Sequence, residues 1–209
     1  MTPEDLTTYF TRADGTFIFA RWGRPLAPVV FGVEDATLST VKGALEAVVA
    51  LADHKMAETD PELGANLLIF FVKSWQELLD APGMGKLVPD LIPLVDTLRA
   101  RQANQYRIFR FDETGAIKAA FVFLKIDAAL ADVPAETLAL SEAAQTILLW
   151  SDTAFKSSGP LAELPDGKGS VLRPDIAAII RAAYDPVLPG MSEDPAFALR
   201  IHGRLGRPS

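Results

Sequence analysis

The sequence predicts an α+β fold in a single domain, residues 1–209, with a mixed sheet of about five strands, helices packed on it, and a helical C-terminal part. Three observations predict it. Short β-rich apolar segments, among them Leu67–Val72 and Ala119–Leu124, are separated by turn residues over the first 125 positions. Beyond residue 133 the apolar spacing becomes helical and stays so. No repeat, low-complexity stretch or Pro/Gly/Ser linker divides the chain, and 209 residues with 49% hydrophobic and 22% charged side chains suit one core.

The elements follow in order. Thr2 is placed to cap a short helix with Pro3 at its first position and Leu6 and Phe10 on its buried side. The Asp14-Gly15 turn leads into a strand over Thr16–Trp22, and Arg24-Pro25 leads into a second over Pro28–Val33. From Leu38 the spacing changes: Leu38, Val41, Leu45, Val48 and Ala52 make one helical stripe, with the helix extending to about Met56. The loop Glu58–Gly64 precedes a strand over Asn66–Lys73. Residues 74–104 read as short helices in an irregular segment, because Pro82-Gly83, Pro89 and Pro93 interrupt it. Gln105–Phe111 and Ala116–Lys125 flank the turn Asp112–Gly115 as a hairpin. Pro134 opens a helix to about Trp150, anchored by Leu138, Ile147 and Leu148, and Asp166–Gly169 is a turn. Pro174 and Asp175 start a helix with Ile176, Ile179, Ile180 and Ala183 inside, which stops at Tyr184-Asp185-Pro186. Ser192 is expected to cap a last helix bearing Phe197, Ile201 and Leu205.

Composition removes several functions. A net charge of −7 repels a phosphate backbone, and Arg200, Arg204 and Arg207 read as dipole-favoured residues of a final helical turn, so no nucleic-acid partner is expected. The apolar runs are far shorter than the ~20 residues a transmembrane helix needs. The N-terminal Met1–Leu6 has no apolar core of a signal peptide. Cysteine is absent, which excludes disulfides and thiolate chemistry. Neither histidine, His54 nor His202, has a second imidazole at ligand spacing, so no metal and no cofactor is expected. No Gly-x-Ser-x-Gly occurs, and Gly83-Met84-Gly85-Lys86 lacks phosphate-loop spacing. A carboxylate pair is the remaining route to catalysis, with Glu142 and Asp152 as candidates. Solvated faces explain most acidic residues in a chain that has 27 of them.

Four segments carry a resemblance: Ser141-Glu142-Ala143-Ala144-Gln145, Ser151-Asp152-Thr153, Arg173-Pro174-Asp175, and Tyr184-Asp185-Pro186-Val187-Leu188-Pro189-Gly190-Met191-Ser192. Together they resemble a bacterial domain-of-unknown-function family of exported, distantly zincin-like proteins. Its signature is a helix with a His-Glu-Glu-x-Ala-Gln core, then Asn-Asp-Ser, then a helix ending in Leu-Tyr-Asp-Pro-x-Leu-x-Pro-Gly-Met-Thr. Arg21-Trp22-Gly23-Arg24-Pro25 is similar to the family's Arg-Trp-x-x-Pro. The resemblance covers most of the chain, with firm anchors after residue 140 and one residue fewer between Pro186 and Pro189. It implies a zincin-like fold and a periplasmic or secreted location.

The departures bear on function. On that pattern Leu140 stands at the histidine and Ser141 at the first glutamate, while Glu142, Gln145 and Asp152 match. A zincin helix holds its metal with two histidines one turn apart, and Ala144, one turn after Leu140, cannot ligate either. The expectation is a non-catalytic domain that binds a protein or small molecule, with Glu142, Gln145, Asp152 and Tyr184 as candidate cleft residues. The alternatives are a hydrolase using Glu142 and Asp152, or the structural subunit of a homo-oligomer. The segment around Tyr184 is also accounted for as a helix stop, a turn and a cap.

Overall fold

The computed structural model describes residues 1–165 and 167–206. Helix α1 (Pro3–Thr8) begins with a capping box, in which Thr2 Oγ1 accepts from the Asp5 N–H and the Asp5 carboxylate accepts from the Thr2 N–H. The strand expected over Thr16–Trp22 contracts to β1 (Phe19–Ala20), flanked by single bridges from Phe17, Arg21 and Trp22 to three different parts of the chain. Phe19 and Ala20 are both fully buried, so this segment lacks the one-sided alternation of a sheet strand and threads through the core.

Next come β2 (Pro28–Phe31), α2 (Asp35–Leu51), β3 (Leu67–Val72), α3 (Gln76–Asp80), α4 (Met84–Leu87), α5 (Leu91–Ala100), β4 (Gln105–Phe111) and β5 (Ile117–Lys125). Among the described residues the main sheet has four strands, not about five, in the order β2-β3-β5-β4. Strands β2, β3 and β5 are parallel, and β4 lies antiparallel at one edge. Strand β3 is covered on both faces, which explains its uninterrupted run Leu-Leu-Ile-Phe-Phe-Val. One face packs Leu67, Ile69, Val122 and Leu124 against α2 and the helix α7 (Ala135–Thr146). The other packs Phe70, Phe121 and Phe123 against Trp75, Leu78, Val95 and Leu98 of the α3–α5 layer.

After α6 (Ala128–Ala131) and α7 come the hairpin β6 (Leu161–Glu163) and β7 (Ser170–Leu172), α8 (Pro174–Ala183), β8 (Met191–Ser192) and α9 (Phe197–His202). Strand β2 ends at Phe31, short of the expected Val33, and three helix boundaries also differ from expectation. Helix α2 ends at Leu51 because Asp53 turns to φ +50°, and Met56 instead bridges Leu26. Helix α7 ends at Thr146 because the following residues are drawn toward β1: Leu148 bridges Arg21, and the Leu149 N–H donates to Ala20 O. Ser192 pairs with Phe19 in β8 and accepts from the Asp194 N–H, so it does not cap α9, which starts after Ala196. The β6–β7 hairpin escaped the sequence reading, as neither arm exceeds three residues. Of the turn expected over Asp166–Gly169, Asp166 lies outside the described residues, as does Arg207 of the C-terminal arginine set. Among the described residues no helix is long and apolar enough to cross a membrane.

Candidate binding cleft at the edge of the sheet

A cleft of about 690 Å³ runs along β4. Antiparallel pairing decides which backbone groups face it. The Lys125 N–H donates to Asn104 O at 2.8 Å, and by alternation Tyr106 and Ile108 exchange hydrogen bonds with Phe123 and Phe121. Gln105, Arg107 and Phe109 therefore turn their N–H and C=O groups away from β5, where no other strand meets them among the described residues. The same alternation puts Arg107 and Phe109 on the α7 side of the sheet, whereas Ile108 packs into the opposite core. Across the cleft stand Gln145, Leu149 and Trp150, with Asp152, Phe155 and the Arg12–Asp14 turn at its rim. Tyr9, Phe10 and Phe155 pack around the Trp150 ring and hold it.

Beside the cleft lies a buried ion pair. Glu142, 4% exposed, receives Arg107 Nη2 on both carboxylate oxygens at 2.5 and 2.6 Å. Gln105 Oε1 accepts from the same nitrogen at 3.3 Å, while Arg107 Nε is buried without a partner. A carboxylate clasped in this way has its lone pairs committed, and a general base needs one free toward water or substrate. Glu142 does not line the cleft. Asp152 does, and its Oδ1 accepts from the Ala13 N–H at 2.9 Å, tying down the Arg12–Asp14 turn. Gln145 lines the cleft, with its amide donating to Ser141 Oγ at 3.0 Å. Leu140 packs partly buried against the core and Ala144 is fully buried. Among the described residues no group of three or more His, Asp or Glu side chains is disposed to hold a metal ion.

Tyr184 lies elsewhere, buried at the end of α8. Its hydroxyl donates to Ile147 O at 2.8 Å and accepts from the Trp22 N–H at 3.2 Å, and burial pushes the phenol above its ordinary range. Arg21 stacks its guanidinium over the Tyr184 ring and donates to Tyr184 O and Leu188 O. The Arg21–Pro25 and Tyr184–Ser192 segments thus meet in space and lock one another. Arg173 and Asp175 act similarly. They pair with each other, the Arg173 Nη2 donates to the Tyr9 hydroxyl at 3.1 Å, and that hydroxyl donates to Asp175 at 3.3 Å, joining the segment after α1 to the start of α8.

Sequence reasoning passed over Arg107 and the aromatic wall of Phe109, Trp150 and Phe155. The signal for Arg107 was present in Gln105-Tyr106-Arg107-Ile108-Phe109, where an arginine shares a strand face with Phe109 and so needs a buried acid opposite. Compared with known proteins, the chain matches no family model, no curated protein and no solved structure.

Proposed function

We propose that the chain is a non-catalytic, distantly zincin-like binding domain that takes an extended polypeptide segment alongside β4. The observation that carries this reading is the open edge of β4 facing the 690 Å³ cleft. An incoming strand satisfies the outward N–H and C=O groups of Gln105, Arg107 and Phe109 through its own main chain, and alternate side chains enter the cleft. The wall of Phe109, Leu149, Trp150 and Phe155 suits an apolar or aromatic side chain. The non-catalytic reading is supported by the residues where a metal-holding helix would carry its ligands: Leu140 and Ala144 have no donor atom, and Glu142 is engaged by Arg107.

The reading is tested with a set of unstructured, apolar-containing decapeptides, using tryptophan fluorescence and calorimetry. Binding is expected for a subset of them. Gln105→Pro removes one outward N–H from an edge strand, where proline is tolerated. It is expected to weaken binding by about 1 kcal/mol, roughly fivefold, with the melting temperature little changed. No binding at millimolar peptide, or equal affinity for the folded proline variant, would refute an edge-strand mode.

A further inference from the structure

We propose that His54 is an acid-sensitive latch: its neutral imidazole closes the contact between the Arg21–Pro25 segment and the end of α8, and its protonation opens it. His54 follows α2, partly buried, with its ring against Tyr184 at 5.0 Å between centroids. Its Nε2 lies 2.9 Å from Arg24 O. A carbonyl only accepts, so Nε2 carries the hydrogen and Nδ1 is the site left to take a proton. That proton would add a cation to a site already holding one on the same aromatic ring, the Arg21 guanidinium 5.2 Å from the Tyr184 centroid.

The groups around the imidazole are unfavourable to a charge. Arg21 faces it from the segment after β1, Lys55 follows it in the chain, and Tyr184 of α8 presents a neutral phenol. The Arg24 guanidinium is engaged by Asp60 and Glu62, and Asp185 is bonded to Arg204 and the Val187 N–H. Asp53, the preceding residue, points into solvent. Among the described residues no carboxylate pairs with the imidazole. Burial first, then Arg21 and Lys55, hold the His54 pKa below its ordinary value, against the opposing hydrogen bond to Arg24.

The sign follows by linkage. A depressed pKa in the folded chain means the unfolded chain binds more protons, so stability is full above about 6.5 and declines as pH falls below it. Opening has a defined path. Leu26 N–H donates to Lys55 O and Ala57 N–H to Leu26 O, which ties the His54 segment to the Arg24–Leu26 segment. Arg24, Pro25 and Ala57 are also walls of a second cavity, of about 530 Å³, which such an opening would reshape.

Asp60 is held down to about 2, far from the acid range compared below, and the other histidine, His202, lies beside Met1 O and serves as the control. The experiment compares thermal unfolding of the full chain at pH 7.5 and 5.5 for the native protein, His54→Gln and His202→Gln, together with hydrogen exchange at the Trp22 amide. Gln keeps a donor for Arg24 O and cannot titrate. The native chain and H202Q are expected to lose several degrees on acidification, and H54Q to lose little. Protection at Trp22, corrected for intrinsic exchange, is expected to fall several-fold in the native chain. Equal losses in H54Q and native protein, or unchanged Trp22 protection, would overturn the latch. Should H54Q fail to fold, an NMR titration of native His54 decides. An apparent pKa below 6.5 accompanied by a shift of the Trp22 amide supports the latch, and one at or above 6.5 sinks it.

Discussion

Arg107 and Glu142 show what one buried charge demands of its surroundings. With 18% and 4% of their side chains exposed, neither is well hydrated, and each is tolerable only because of the other. Glu142→Ala leaves a guanidinium without its acid. Breaking a fully buried pair costs about 3–5 kcal/mol, and partial exposure of Arg107 reduces this to about 1–3 kcal/mol. Replacing both residues at once, Arg107→Met with Glu142→Leu, is expected to recover most of that loss, since it removes the desolvated charges together. Urea unfolding of the two variants checks both expectations; equal destabilisation by the single and double changes would contradict the pairing argument. Only half of this pair was legible in the sequence. Glu142 stood out on the helix, but its partner is 35 residues away, and periodicity does not report which acid a strand arginine meets. Asp60 was hidden for a related reason. Within an acidic turn it reads as solvated, yet it is 3% exposed. Burial alone would raise its pKa, but the N–H groups of Leu63 and Glu62, with Asn66 and Arg24, hold it down to about 2.

Elements were legible where local pattern and burial agree. Strand β3 and the β4–β5 hairpin fall within one residue or so of the expected ranges, because a two-sided apolar run and a turn flanked by alternating residues are local signals. Ends governed by distant contacts were not legible. Helices α2 and α7 stop short because Met56 and Leu148 are taken up by bridges to Leu26 and Arg21. The exit from β2 has its own requirement. Gly32 sits at φ +80°, and a Cβ there would lie 2.1 Å from Phe71 O, a backbone atom that cannot turn aside. Gly32→Ala therefore combines left-handed backbone strain with a clash against β3. It is expected to cost more than about 2 kcal/mol. Gly43→Ala meets nothing within 4 Å on α2 and serves as the control, expected to stabilise by roughly 0.5–1 kcal/mol. Denaturant midpoints for the two variants should move in opposite directions.

Across the whole molecule, the segments around Arg21, Arg173 and Tyr184 lie apart from the cleft proposed for binding, whereas Gln145, Ser151 and Asp152 line it. Arg21, Trp22, Arg173, Asp175 and Tyr184 hold chain segments to one another, whereas the cleft is built from β4 residues and the chain following α7. A residue kept for architecture and one kept for recognition respond differently to change. Tyr184→Phe deletes the donor to Ile147 O and the acceptor for the Trp22 N–H, leaving two buried backbone groups unsatisfied, at a cost of about 1–3 kcal/mol. Peptide affinity should be unaffected, because Tyr184 does not line the cleft. Phe109→Ala should do the reverse. Phe109 is only partly buried, so stability falls modestly, while a peptide loses its apolar contact and binds more weakly by about 1–2 kcal/mol, roughly five- to thirtyfold. Measuring unfolding and peptide binding on both variants separates the two roles. If Y184F weakened peptide binding as much as F109A at a temperature where both are folded, the end of α8 would belong to the binding surface and the division drawn between them would fail.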